Sequence, residues 1–111
     1  MWRELSNLMR RYYEGDKKYT TRVFRNNNIN CEMNVVGVYS NKKSTFLIVL
    51  YPLNESSETI KTYGPTTIKL ALDDEKIANG IINFVRKNLT ESPPNFDKIS
   101  KSKFSSYIVD E

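Results

Sequence analysis

Histidine is absent from this chain of 111 residues, cysteine occurs once, and glycine and proline occur four times each. Without histidine there is no imidazole base, no His-based catalytic triad and no imidazole metal ligand. The single thiol, Cys31, cannot close an internal disulfide, and a lone cysteine in a small domain points to a reducing, intracellular compartment. It opens an alternating apolar run, which favours a buried packing role over a nucleophilic one. The glycines Gly15, Gly37, Gly64 and Gly80 lie far apart, so the glycine-rich cradles of dinucleotide and P-loop sites are excluded. No apolar run approaches the roughly 18 residues of a bilayer span; the longest, residues 46–51, is strand-sized. Residues 1–13 are amphipathic and distantly like an organelle presequence, but Glu4 and the Tyr12-Tyr13 pair weigh against that reading.

A hard-metal site would need converging carboxylates, and the only dense acidic run is Asp73-Asp74-Glu75. A helix N-cap with favourable first-turn charge explains that run, so neither a metal nor a cofactor is expected. The composition itself, 39% hydrophobic, 12% aromatic and 27% charged, suits one folded core. The net charge of +4 is unevenly spread: residues 1–43 carry nine Lys or Arg against four acids, and the remainder carries eight against nine. A basic first half is the electrostatic footprint of a phosphate-binding surface, although a modest one.

Along the chain, Trp2, Leu5, Leu8, Met9, Tyr12 and Tyr13 recur at spacings of three and four, which predicts an amino-terminal helix ending near Gly15. Beyond Lys17 the period becomes two, with Tyr19, Thr21 and Val23 on one face, and a strand runs to the polar turn Asn26-Asn27-Asn28. Residues 31–39 and 45–51 alternate on either side of a polar turn and predict a β-hairpin. The second arm is apolar on both faces, as suits a strand covered on one side and met by a partner on the other, or covered on both. Weak alternation over residues 58–63 and a clearer pattern over 66–72 add two strands. Ile77, Ile81, Ile82, Phe84, Val85 and Leu89 form the buried stripe of a second helix, capped at Asp73-Asp74-Glu75. Gly80 inside that helix implies either a close neighbour or a tolerated cost in helix propensity.

The expected fold is therefore α+β: an N-terminal helix, an antiparallel meander of about five strands, a second helix on the same face, and a C-terminal extension. A single domain over residues 1–91 is followed by residues 92–111, which follow a proline stop and form an extension or linear motif.

The stretch RRYYEGDKKYTTRVFR, residues 10–25, packs six basic and four aromatic side chains into sixteen positions. Arg10, Arg11, Lys17, Lys18, Arg22 and Arg25 are candidate phosphate contacts, with Tyr19 or Phe24 offering a ring to an unpaired base. Alternatively the aromatics belong to the core, Arg10 pairs with Glu14, and the remaining charge is a solvated rim. Arg22 and Phe24 share a strand face, so a mixed aromatic and basic face available to a partner is expected if that face lies away from the helices. In the tail, Phe96, Ile99, Phe104 and Tyr107 are spaced like the anchors of a segment that folds onto something. Together with Phe24 they form the candidate protein interface.

The first functional expectation is a non-catalytic intracellular protein-protein interaction module, a homodimer or subunit of a larger complex, binding through a sheet face or edge and the tail. The alternative is a small RNA-binding or single-stranded DNA-binding protein using the basic first half. An enzyme without His-based chemistry stands third.

Overall fold

In the computed structural model, which describes residues 1–53 and 67–109, the chain forms one six-stranded antiparallel sheet and its coverings. The strands are β1 (Arg3–Glu4), β2 (Arg10–Glu14), β3 (Lys17–Asn26), β4 (Cys31–Tyr39), β5 (Ser44–Pro52) and β6 (Ile68–Leu72). Helices α1 (Glu75–Asn88) and α2 (Asp97–Ser100) follow, and α2 is a single turn. The order across the sheet is β1-β3-β4-β5-β6, and β2 lies on the same side of β3 as β1.

This corrects the α+β expectation in two respects: residues 1–15 form no α-helix, and the fold is sheet-rich, with α1 the one long helix among the described residues. Residues 10–14 pair with residues 17–21 as a tight hairpin, Tyr12 opposite Tyr19 and Glu14 opposite Lys17. Gly15 has φ 62° and Asp16 does not share the positive φ. That combination is the type II′ turn whose twist matches a two-residue hairpin. Gly15 therefore supplies the left-handed residue of a turn instead of a helix terminus. The spacing of three and four is filled by unrelated roles. Trp2 is buried beneath α1, while Leu5 and Leu8 are half-buried at a 3₁₀ turn, Ser6–Leu8, that packs on β3. Tyr12 and Tyr13 alternate across an edge strand. The expected strand over residues 58–63 lies outside the described residues.

The β4–β5 hairpin and α1 follow their sequence patterns closely. Successive residues of a strand point to opposite faces, so the cross-strand register sorts the side chains into rows. On the covered face, Phe24, Met33, Leu50 and Ile68 form one row, and Arg22, Val35, Ile48 and Leu70 the next. Ala78, Ile81, Ile82, Val85 and Leu89 of α1 join these side chains in one core. Asp74 caps the helix by accepting from the amides of Lys76 and Ile77, at 2.9 and 3.3 Å. At the other end, the Trp2 indole donates to the Leu89 carbonyl at 2.7 Å, satisfying an acceptor that the finished helix leaves without a partner.

The tail returns to the same core. Ile99 and Phe104 are buried, and the Phe104 ring sits above Gly80, with an edge contact to Phe84. A methyl group at Gly80 would reach that ring at ordinary contact distances of 3.6 and 3.8 Å, so the packing leaves room for one. Ile108 bridges to Leu70, and the Val109 amide donates to the Lys69 carbonyl at 2.9 Å, so the tail lines the outer edge of β6.

Candidate interaction surface

The face of the sheet turned away from α1 is organised by the same register in four rows, with the Glu14–Lys17 pair beyond them at the hairpin end. Arg10, Thr21, Val36, Leu47 and Ala71 form one row, and Tyr12, Tyr19, Val38 and Thr45 another. Val23, Asn34, Val49 and Lys69 form the third, and Arg3, Arg25, Glu32 and Tyr51 the fourth. Aliphatic side chains thus gather in the middle: Val36, Val38 and Val49 are half-buried, and Leu47 is 39% exposed. The tyrosines flank them, with the Tyr12 and Tyr19 rings stacked at 4.6 Å between centroids and 4° between planes.

The fourth row is polar, and apart from the exposed Arg3 its members bond to one another. Glu32 is only 3% exposed, and its carboxylate accepts from the Arg25 guanidinium at 2.7 and 3.0 Å. It also accepts from the Tyr51 hydroxyl, to which Asn34 donates at 2.6 Å. A buried carboxylate is tolerated only when paired and hydrogen-bonded, and these partners meet that requirement. The network is a structural anchor for one end of the face.

The six basic residues of the 10–25 stretch alternate between the two faces. Arg10, Lys17 and Arg25 lie on the open face; Arg11, Lys18 and Arg22 lie on the α1 side. Four of them are engaged within the chain. Arg10 donates to the Asn7 and Met9 carbonyls, Arg25 pairs with Glu32, and Lys18 sits 4.8 Å from the centre of the Tyr39 ring. Arg22 donates from two guanidinium nitrogens to Glu4 at 2.8 and 2.9 Å and also lies over the Phe24 ring at 4.9 Å. The Arg22 hydrogen bond holds the Glu4 carboxyl below its ordinary range, and the carboxylate in turn raises Arg22. Lys17 and Arg11 have no carboxylate partner among the described residues.

Phe24 is fully buried on the α1 face, where Arg86 approaches its ring at 5.5 Å. Ile99 and Phe104 are buried, while Phe96 and Tyr107 are half-buried against the same core. Of the five aromatic and aliphatic candidates, Phe24, Ile99 and Phe104 are thus buried and Phe96 and Tyr107 half-buried, whereas the open face presents Leu47, exposed, beside the half-buried Val36, Val38 and Val49. Its sequence signal was the second arm of the hairpin, apolar on both faces.

The acidic run divides its labour: Asp74 caps α1, Asp73 lies 3.6 Å from the Lys43 amine, and Glu75 accepts from the Tyr39 hydroxyl at 2.8 Å. Burial first, then Glu75, pushes the Tyr39 hydroxyl above its ordinary range. Burial likewise pushes the Cys31 thiol up to about 12, leaving it protonated and a poor nucleophile at neutral pH. Among the described residues, no three acidic or thiol groups converge to hold a metal, and no helix is long and apolar enough to cross a membrane.

One strand edge completes the surface. The Leu5 amide donates to the Val23 carbonyl at 2.8 Å, so the odd-numbered residues of β3 turn their backbone groups toward β1 and β2. By the antiparallel alternation, Arg10, Tyr12 and Glu14 bond inward to β3, while Arg11 and Tyr13 direct their N–H and C=O groups outward. All five residues of β2 are exposed, Tyr12 at 56% and Tyr13 at 69%. No protein-family model, curated protein or solved structure matches this chain.

Proposed function

We propose that this protein is a non-catalytic protein-binding module whose open sheet face receives another protein. The observation that carries the reading is the aliphatic centre of that face, Val36, Val38, Leu47 and Val49, bordered by the stacked Tyr12 and Tyr19. An apolar centre with aromatic and polar borders is the anatomy of a protein interface. Tyrosine supplies much contact area at little entropic cost, and the β-branched side chains are already held in place by their strands.

The basic first half supports nucleic-acid binding less strongly. The six cations of residues 10–25 are split between two faces, and Arg22 and Arg25 are neutralised by Glu4 and Glu32. Affinity for a phosphate backbone depends on cations that act together on one surface.

The test is affinity capture from a nuclease-treated extract, at low and high salt, with the wild-type chain and with Leu47→Asp. A protein retained at high salt and lost with Leu47→Asp is the expected result. Capture that ignores the substitution, or an absorbance ratio showing nucleic acid that leaves with salt, would overturn the reading.

A further inference from the structure

We infer that β2 is a self-complementary edge and that two copies of this chain pair antiparallel through it, joining their sheets. Such a dimer uses the strand edge and not the open face, so it stands or falls separately from the proposed function.

Residues opposite each other across an antiparallel pair must lie on the same face, which restricts a two-fold pairing of β2 to registers centred on a residue. The outward backbone groups belong to Arg11 and Tyr13, so these must meet in any hydrogen-bonded pair. Centring on Arg11 places two arginines directly opposite each other, a like-charge contact that disfavours pairing. Centring on Tyr13 runs the short strand into the Gly15 turn and leaves Arg10 without a strand residue opposite. Centring on Tyr12 satisfies every position: Arg11 and Tyr13 exchange backbone hydrogen bonds with Tyr13 and Arg11 of the second copy. Arg10 then meets the second copy's Glu14, and Glu14 its Arg10, both on the open face. On the other face, each Arg11 lies beside a tyrosine ring, a favourable cation–π arrangement.

The aromatic stack extends through the same axis. Tyr12 already lies parallel to Tyr19 at 4.6 Å, and its other ring face looks toward the free edge. A second Tyr12 across the axis continues the stack to four rings and carries the open face across both copies. An exposed strand edge is ordinarily a template for further pairing, and closure of this edge by a two-fold axis ends the growth at two.

The charge pattern makes the test specific. Wild-type protein is expected to show a concentration-dependent dimer by sedimentation equilibrium up to millimolar concentration. Arg10→Glu alone, or Glu14→Arg alone, places like charges opposite each other twice and is expected to weaken dimerisation about tenfold. An equimolar mixture of the two single variants restores both opposite-charge contacts and is expected to re-form a dimer, as is the double swap R10E/E14R. Both positions are exposed, so circular dichroism should report an unchanged fold. Monomeric wild-type protein, or single variants that dimerise as well as wild type, would overturn the inference. Leu47→Asp serves as the control: it should leave the dimer intact whether or not it abolishes partner capture.

Discussion

A methyl group at Gly37 would stand 2.9 Å from the Thr20 hydroxyl, 3.1 Å from the Tyr39 ring and 3.3 Å from the Phe46 ring. At Gly80 the same methyl would meet only the Phe104 ring, at ordinary contact distances of 3.6 and 3.8 Å. Gly37→Ala is therefore expected to lose about 1–2 kcal/mol by overpacking, whereas Gly80→Ala should gain up to about 1 kcal/mol from helix propensity. Urea unfolding midpoints of the two variants should move in opposite directions. The Glu4–Arg22 pair adds a dependence on pH. Glu4 titrates lower in the folded chain than its ordinary value of 4.5, because Arg22 bonds to its charged form. Its contribution is thus fully present above that ordinary value and disappears as pH falls through the lower folded one. The pair is about a third exposed, which limits the effect to under ~1 kcal/mol. The stability difference between wild type and Glu4→Gln, followed in urea from neutral pH to pH 3, should shrink with acidification.

At the scale of elements, what sequence could reveal depended on whether the side-chain pattern had one physical cause or several. The β4–β5 hairpin has one: residues alternate because one face is core, and the polar turn at Ser40-Asn41-Lys42-Lys43 fixes its register. Helix α1 likewise joins a capping aspartate to a single buried stripe. The first thirteen residues mix causes. Trp2 caps a distant helix, Leu5 and Leu8 pack on β3, and Tyr12 and Tyr13 belong to an edge strand, yet their spacing coincides with a helical turn. Local periodicity carries no information about which distant strand satisfies a backbone, and β3 satisfies this one. Gly15 followed by Asp16 and a new alternation was the available sign of a hairpin, but a left-handed glycine also ends helices. The open face was partly legible, because residues 45–51 are apolar on both sides. The free edge of β2 was not, since it exists only once residues 10–14 are known to be a strand.

Across the whole molecule, the core joins parts of the chain that are far apart in sequence. Trp2, Ile99 and Phe104 belong to the same buried cluster as the strands and α1, so the tail beyond the proline pair shares its packing with the amino terminus. A common core implies a common transition, because loss of one part exposes apolar surface on the others. Phe104→Ala removes a ring that is only 7% exposed, and it should cost the molecule about 3 kcal/mol. Trp2, the single tryptophan, is buried and bonded to Leu89 far from that ring in sequence, which makes its fluorescence an independent reporter. In urea the Trp2 signal and far-ultraviolet circular dichroism should share one midpoint in the wild type, and Phe104→Ala should lower both together. A Trp2 midpoint that stays in place would instead mean that the tail unfolds on its own, leaving Gly80 and the edge of β6 uncovered while the sheet persists.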